Sequence, residues 1–416
     1  MANNTNVPEI RFEGYTDDWG QQALGDVVEK QKSYSLSRDV ETTEATGYRY
    51  IHYGDIHKQV ADIITHDEQL PMIKAGNYIP IAQGDLVLAD ASEDYTGIAE
   101  PCVVLHTPND KIVAGLHTIA IRPIDTNSLF LYHLFHTDGF KKFGGHVGTG
   151  LKVFGITFTN LAKYDMNSPT LPEQTAIGSF FSTLDNCIAI NQRKYDSLKK
   201  LKAAYLQQMF PQAGERVPRV RFDGFSEDWE SKELGTLSVK VSQKNKDSKH
   251  SETLTNSAEY GIISQRDFFD KDISNQKNLD GYFVVQPDDF VYNPRISNHA
   301  PVGPIKRNLL GRTGVMSPLY YVFRIVEGNL AFIEKYFESI YWHEFMKLNG
   351  DNGVRSDRFN IKDSIFETMP IPFPVLEEQT AIGNFFNNLD TQISSQAEYL
   401  NNIKQLKTAY LQKMFI

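Results

Sequence analysis

Two segments of the chain repeat apolar residues at alternating steps of four and three, which is the spacing of a coiled-coil seam. The segments cover residues 173–210 and 378–415, and neither contains proline or a second glycine after Gly178 and Gly383. Each is therefore predicted to form one helix of about 37 residues, roughly 55 Å long. The seam positions are Leu184, Ile188, Asn191, Tyr195, Leu198, Lys202, Tyr205 and Met209 in the first segment, and Leu389, Ile393, Gln396, Leu400, Ile403, Lys407, Tyr410 and Met414 in the second.

Helices with so narrow an apolar seam are unstable alone, so we expect the two to pair with each other. Polar seam residues Asn191 and Gln396 would fix the register at some cost in stability. Thr170 to Glu173 reads as a capping box at the start of the first helix, and Pro374 plays a similar role before the second. The residues expected to make the pairing contacts are Leu184, Ile188, Leu198, Tyr205, Leu389, Ile393, Ile403 and Tyr410.

The segments between these helices, residues 26–170 and 236–374, contain short β-like runs broken by Gly, Pro, Asn and Asp. The run from Tyr78 through Asp85 matches the run from Tyr282 through Asp289 about 204 residues later. Elsewhere the two segments differ almost completely. A common scaffold with two different surfaces is the expected result.

A second repeat precedes each of these segments. Residues 7–25 read VPEIRFEGYTDDWGQQALG and residues 217–235 read VPRVRFDGFSEDWESKELG, about 210 residues apart. The helices carry a third, with EQTAIGSFFSTLD from Glu173 and EQTAIGNFFNNLD from Glu378. We therefore predict a mixed α/β (α+β) fold built from one unit used twice. Its parts are a domain over residues 1–170, a helix over 171–212, a domain over 213–374 and a helix over 375–416.

Composition narrows the class of protein. A chain of 416 residues with 41% apolar content supports well-packed globular domains. No stretch approaches 18 uninterrupted apolar residues, and the N-terminus lacks the pattern of a signal peptide. The two isolated cysteines, Cys102 and Cys187, fit a reducing cytoplasm. A cytoplasmic protein is expected.

The net charge of −10 argues against nucleic acid as a partner, yet two stretches free of acidic residues oppose that argument. They lie between Asp138 and Asp165 and between Asp289 and Glu327, and both contain several lysines or arginines. Such side chains, with Asn, supply phosphate and base contacts to DNA. The candidate DNA-binding residues are Lys141, Lys142, Lys152, Asn293, Arg295, Lys306, Arg307, Arg312, Arg355 and Arg358.

In combination, these motifs resemble the specificity subunit of type I restriction–modification systems. The two RF-x-G-x-x-x-DW segments resemble the opening of each half of such subunits, and the two EQTAIG helices resemble their repeated helical regions. The segment NGVRSDRFNIKDSIFETMPIPFP resembles the end of a recognition domain. One departure is that Thr170 has no counterpart before the second helix, where the chain reads Phe373-Pro374-Val375.

The resemblance implies that each variable domain is a target recognition domain that reads one half of a split DNA site. It implies that the helices pair antiparallel, with pseudo-two-fold symmetry, and set the gap between the half-sites. Two modification subunits would dock on this frame, bind S-adenosylmethionine and methylate adenine. Restriction subunits would add ATP- and Mg-dependent work, while this chain would bind no cofactor and have no catalytic centre.

Other classes are less well supported by the residues. Asn293-Pro294-Arg295 lacks the second proline and the aromatic residue of an adenine methyltransferase motif, and Pro287-Asp288 lacks the later acid–x–lysine of a nuclease. The pair His133 and His136 has metal-ligand spacing, but core packing is the favoured interpretation. No GxxxxGK[ST] is present. A duplicated coiled-coil adaptor that joins two protein partners stays open as the alternative.

Overall fold

A computed structural model describes residues 6–65, 70–94, 97–106, 109–150, 153–212, 214–246, 249–269, 276–351 and 357–416. The chain divides into two compact units. Unit 1 comprises residues 1–192 and 398–416, and unit 2 comprises residues 193–397. Each unit thus contains the start of one long helix and the end of the other. The predicted boundaries at 170, 212 and 374 stay a prediction.

Unit 1 is a mixed strand and helix domain. Its strands in the described residues are β1 (Gly20–Ala23), β2 (Val28–Lys30), β3 (Tyr48–Ile51), β4 (Ile63–Ile64), β5 (Leu86–Ala89), β6 (Ala91–Ser92), β7 (Pro101–Val104), β8 (Lys111–Ala114), β9 (Thr118–Pro123), β10 (Phe154–Gly155) and β11 (Asp165–Ser168). Its helices are α1 (Tyr53–His57), α2 (Ser128–Leu134), α3 (Asp138–Val147), α4 (Phe158–Leu161) and the first part of α5 (Leu171–Gln208).

The main sheet of unit 1 has the strand order β2-β9-β5-β7-β4, antiparallel except for the β4–β7 pair. Its central strands are nearly continuous apolar runs because both faces are covered. Alternate residues enter two separate cores, with Leu86 and Leu88 in one and Val87 and Ala89 in the other. Strand β1, which lies in the last part of the repeated opening segment, pairs with β11 just before α5.

Unit 2 repeats this plan in the described residues. Its strands are β12 (Glu230–Glu233), β13 (Ser238–Lys240), β14 (Leu254–Ser257), β15 (Gly261–Ser264), β16 (Phe283–Val285), β17 (Phe290–Tyr292), β18 (Ile305–Arg307), β19 (Gly314–Met316), β20 (Tyr321–Ile325) and β21 (Pro370–Phe373). Its helices are α6 (Leu234–Leu237), α7 (Gln265–Phe269), α8 (Leu330–Glu338), α9 (Trp342–Asn349), α10 (Asp363–Phe366) and the first part of α11 (Leu376–Met414).

The sheet of unit 2 has the order β13-β20-β17-β18, and β12 pairs with β21 just before α11. The pairs β13–β20 and β20–β17 therefore correspond to β2–β9 and β9–β5 of unit 1. The predicted fold class is confirmed: two domains of mixed strand and helix content are separated by two long helices.

Candidate DNA-recognition units and the frame that holds them

An ion pair fixes α5 to the opening segment of unit 1. Arg11 donates to both carboxylate oxygens of Glu173, at 2.7 and 2.8 Å, and the Glu173 side chain is almost fully buried. A bidentate guanidinium–carboxylate pair of this kind sets orientation as well as distance. The Glu173 carboxylate thus binds Arg11, and the capping box expected at Thr170 stays a prediction.

The same contact recurs in unit 2. Arg221 donates to both oxygens of Glu378 at 2.7 and 2.8 Å, and Trp229 Nε1 donates to that carboxylate at 3.1 Å. Glu378 is fully buried. The repeated RF-x-G-x-x-x-DW segment is therefore a scaffold element, and its arginine is a residue that the sequence interpretation did not single out.

The Gln and Gly of each EQTAIG motif make a second contact. It is with the helix that follows the main sheet of the unit, α2 in unit 1 and α8 in unit 2. In unit 1 the Gln174 side chain accepts from the Asn127 N–H at 2.9 Å, and Asn127 caps α2 by accepting from the Phe130 N–H. A Cβ at Gly178 would come within 2.8 Å of the Asn127 side chain, so only glycine fits this approach.

Unit 2 makes the matching set of contacts. Gln379 accepts from the Asn329 N–H at 2.8 Å, Asn329 caps α8 through the Phe332 N–H, and a Cβ at Gly383 would lie 2.9 Å from the Asn329 side chain. Each EQTAIG motif thus ties its long helix to two places in the domain before it. We call these contacts together the anchor of each unit.

A landmark inside the sheets also repeats. Asp85 accepts both guanidinium hydrogen bonds of Arg122, at 2.7 and 2.8 Å, and Asp289 does the same for Arg324, at 2.7 and 3.0 Å. The preceding residue has a positive φ in both units, +91° at Gly84 and +67° at Asp288. The match between these runs in the sequence therefore reflects one turn and one ion pair built twice.

The two long helices run antiparallel within each unit. In unit 1 the start of α5 meets the end of α11, where Phe180 packs on Tyr410 and Lys407 binds Asp185. In unit 2 the end of α5 meets the start of α11, where Tyr205 packs on Phe385. The residue pairs advance in opposite directions along the two helices, which defines the direction of pairing.

The eight residues predicted to pair are all buried or half-buried. Leu389 and Ile403 are buried, and the other six are half-buried. Leu184 and Tyr410 pack against the core of unit 1, whereas Tyr205 and Leu389 belong to the core of unit 2. The pairing contacts themselves stay a prediction for Leu184, Ile188, Leu198, Tyr205, Leu389, Ile393, Ile403 and Tyr410.

A buried ion network joins the two long helices of unit 2 to α8. Lys335 on α8 is 3% exposed and lies 2.7 Å from Glu338, 2.6 Å from Asp390 on α11 and 3.3 Å from Glu334. Lys202 on α5 lies 2.7 Å from Glu338 and 2.5 Å from Asp390. Burial by itself would lower the pKa of Lys335, but Glu338 and Glu334 outweigh it and raise that pKa.

The equivalent position of unit 1 holds a histidine. His133 on α2 is fully buried, with its Nε2 atom 4.0 Å from Asp185 on α5, and it packs against Phe181. Within the described chain, neither ring nitrogen has a hydrogen-bond partner. Burial, aided by Lys407, lowers the pKa of His133 well below its ordinary value. Unit 1 therefore carries a neutral ring where unit 2 carries a cation.

The candidate DNA-binding residues of unit 2 are mostly engaged within the protein. Arg307 lies 2.6 Å from Glu334, and its side chain is only 13% exposed. Arg312 makes a bidentate pair with Glu252, and Arg295 lies 3.9 Å from Asp357. A stretch without acids in the sequence is thus supplied with carboxylates from elsewhere in the fold.

The remaining candidates are scattered. Asn293 is buried and donates to the Asn256 carbonyl at 2.9 Å, whereas Lys306 is half-exposed on β18. Arg358 forms a β-bridge with Arg295, which brings these two side by side. Lys141 and Lys142 lie on α3, where Lys142 is exposed. Lys152 and Arg355 lie outside the described residues.

The described residues hold neither a metal-binding cluster nor a helix able to cross a membrane. No three His, Cys, Asp or Glu side chains in this part of the chain come together so as to hold a metal ion. No helix there combines the length and the apolarity needed to cross a membrane.

Comparison with known proteins finds a matching family and a relative of similar length. A family model described as "Type I restriction modification DNA specificity domain" matches residues 16–200 and 226–405. Over 418 aligned residues the chain is 23% identical to a protein of Methanocaldococcus jannaschii named as the specificity subunit of the type I restriction enzyme MjaX, covering 94% of this chain and 91% of that protein.

Solved structures share the fold. The type I restriction–modification S subunit from M. genitalium matches with a TM-score of 0.59 at 12% identity, over 99% of each chain. A chain from a study of complex assembly and conformational transition of the type I R-M system matches with a TM-score of 0.52 at 18% identity, over 95% of this chain and 97% of that one. Because the family model covers most of the sequence in two copies, the chain belongs to the type I restriction–modification specificity family and carries two DNA specificity domains.

Proposed function

We propose that each recognition domain reads one half of a bipartite site in duplex DNA, and that α5 and α11 set the gap between the halves. The observation that carries the proposal is the repeated anchor. Arg11–Glu173 and Arg221–Glu378 hold two divergent DNA specificity domains to the helices with the same geometry. A common attachment with different surfaces is what two different half-sites would require.

The helices are also proposed as the docking frame for two modification subunits. Identical partners need equivalent surfaces, and the EQTAIG helices are the part of the chain that repeats most closely. In this proposal S-adenosylmethionine binds the modification subunits, and ATP and Mg act on restriction subunits. The chain itself supplies recognition and no chemistry.

Genome-wide sequencing of methylated adenine, with and without this gene, tests the proposal. We expect a split motif with a fixed gap, and we expect its methylation to disappear when the gene is deleted while the modification subunit is still expressed. Unchanged methylation would instead favour the adaptor that joins two protein partners.

The role of the helices has a test of its own. One heptad inserted after Gln192 in α5 and one after Ala397 in α11 keeps the seam in phase. It lengthens each helix by about 10 Å at 1.5 Å per residue, or about three base pairs. We expect the same half-sites with a wider gap. Seven residues inserted in the β14–β15 turn after Ala258 are the matched control, and a gap that changed in the control alone would contradict the proposal.

A further inference from the structure

A basic edge of unit 2 begins where the chain leaves β13, the first strand of its four-stranded sheet. After β13 ends at Lys240, the backbone continues beside β16, with the Asn245 N–H donating to the Tyr282 carbonyl at 2.9 Å. This edge carries Lys244, Lys246 and Lys249, which with His250 help to line a groove of about 540 Å³. Within the described residues, none of the three lysines lies within 4 Å of a carboxylate.

Two contacts hold this edge in place. Lys244 Nζ lies 3.5 Å from the centre of the Phe283 ring and donates to the Gly281 carbonyl at 2.9 Å. The buried Asn245 side chain donates to the His250 carbonyl at 2.8 Å and accepts from the His250 N–H at 3.0 Å. An ammonium group has three donors, so Lys244 keeps two for a ligand while its side chain is already positioned.

Unit 1 has a lysine and aromatic surface at the equivalent place. The first residue after β2 donates to the sheet as its counterpart after β13 does, Gln31 to Ala120 and Val241 to Val322, both at 2.8 Å. Lys32 then places its Nζ 5.8 Å from the Tyr34 ring.

The Tyr34 surface carries a second lysine. The Tyr34 and Tyr48 rings both meet Tyr78 edge-on, at 5.2 and 5.8 Å, and Lys111 Nζ lies 5.2 Å from the Tyr48 ring. In the described part of the chain, neither Lys32 nor Lys111 forms an ion pair. The nearby acid Asp110 is already paired with Arg49 at 2.8 Å.

These lysines differ from the cations of the acid-free stretch. Arg307 and Arg312 form close ion pairs, at 2.6 and 2.7 Å, and Arg295 lies 3.9 Å from Asp357, so each of these three cations has a carboxylate within 4 Å. A phosphate is attracted to charge that is not compensated, and the long-range field of a paired cation is weak. The position after the first sheet strand is therefore the better candidate in both units.

We infer that the segment after the first sheet strand of each unit contacts the phosphodiester backbone of duplex DNA, through Lys244, Lys246 and Lys249 in unit 2 and through Lys32 in unit 1. In unit 1 the contact surface is completed by Lys111 at the start of β8. The inference rests on the proposed function and adds the contact residues to it. Lys32, Lys111 and Lys244 each lie within 6 Å of an aromatic ring. Such a contact restricts a lysine side chain and reduces the entropy lost when a phosphate binds.

Salt dependence of DNA binding tests the inference with matched variants of the full chain. The variant K244Q/K246Q/K249Q is compared with R295Q/R307Q/R312Q, and K32Q/K111Q with K141Q/K142Q, so that the charge removed is equal in each pair. Each lost phosphate contact lowers the slope of log Kd against log salt by about 0.9. We expect a loss of about 2.7 for the first variant and about 1.8 for the third, with little change in either control.

A second readout does not depend on the variants being folded. Acetylation of the wild-type chain, followed by mass spectrometry, should show the five lysines protected by DNA, namely Lys32, Lys111, Lys244, Lys246 and Lys249, with Lys194 on α5 unchanged. Slopes that fell only in the controls, with the five lysines still reactive on DNA, would overturn the inference and leave the proposed function standing. A wild-type chain that bound no duplex, alone or with its modification subunits, would overturn both.

Discussion

The ion network around Lys335 allows a quantitative prediction. It concerns how much this lysine contributes to the free energy of unfolding of unit 2. We consider Lys335→Met, which keeps the length of an apolar stem and removes the charge. The lost ammonium contacts Glu338 at 2.7 Å, Asp390 at 2.6 Å and Glu334 at 3.3 Å. The three carboxylates would then share Lys202 and Arg307 alone.

Removing one partner of a buried ion pair costs about 3 to 5 kcal/mol, because an uncompensated charge is left behind. We expect the lower end, about 3 kcal/mol, since Lys202 continues to hold Glu338 and Asp390. This is a large share of the ~5–15 kcal/mol that stabilises a typical domain.

The penalty should depend on pH in a defined direction. Burial alone would raise the pKa of Glu338, but Lys335 and Lys202 outweigh it and lower that pKa below its ordinary 4.5. In the wild type this carboxylate therefore stabilises the fold above pH 4.5, and the stabilisation is lost as pH falls further. In the variant the pKa of Glu338 rises, so protonation relieves the repulsion at a higher pH. The difference between the two proteins should then shrink as pH falls from the pKa of Glu338 in the variant towards its lower pKa in the wild type.

Urea denaturation combined with hydrogen exchange measures the effect. Exchange should accelerate across α8, while α2 in unit 1 stays protected. His133→Met is the matched control, because it alters the equivalent position where no charge is held, and we expect it to cost less than about 1 kcal/mol. Equal losses for the two variants, or a loss below about 1 kcal/mol for Lys335→Met, would refute the reasoning.

Three further predictions follow from the anchors, the histidine and the seam. Glu378→Gln should weaken the hold on Arg221 and Trp229 and speed hydrogen exchange at the start of α11, and exchange equal to wild type would contradict the anchor. Because the pKa of His133 is lowered in the fold, the unfolded state takes up a proton at a higher pH than the folded state does. Unit 1 should therefore lose up to about 1.4 kcal/mol of unfolding free energy per pH unit below pH 6.5. Urea titrations at several pH values measure this loss, and His133→Met should flatten the slope. Leu389→Glu, at a buried seam position, should disrupt assembly with partner subunits without changing half-site preference; size-exclusion chromatography measures the first and methylome sequencing the second.

The long-range plan could be predicted from the sequence because it depends on periodicity and repetition. The heptad positions near Leu184 and Leu389 locate both helices, and the repeats locate the two domains. The partners of charged groups could not be predicted in the same way. Arg11 and Glu173 are 162 positions apart, and only the fold brings them together.

The candidate DNA surface shows the same limit more sharply. Charge along the sequence is not charge in space, so the stretch containing Arg307 and Arg312 is met by Glu334 and Glu252 from other elements. Lys244 is the reverse case. Its neighbourhood in the sequence contains three more lysines and one acid, Asp247, and only the fold shows that no carboxylate among the described residues lies within 4 Å of it. The signal available in the sequence was a lysine shortly after the first strand of each sheet, Lys32 two residues after β2 and Lys244 four residues after β13.

The division of the long helices between units has a consequence for biosynthesis. Unit 2 is one continuous stretch, residues 193–397, whereas unit 1 also needs residues 398–416. Phe415 fills the core of unit 1 beside Phe130 and Phe181, and the Lys413 carbonyl accepts from the Ile10 N–H. Domains usually mature in the order in which the ribosome makes them. Here the domain that is translated first is the last to be completed, and its open aromatic core must wait for the end of α11 to emerge.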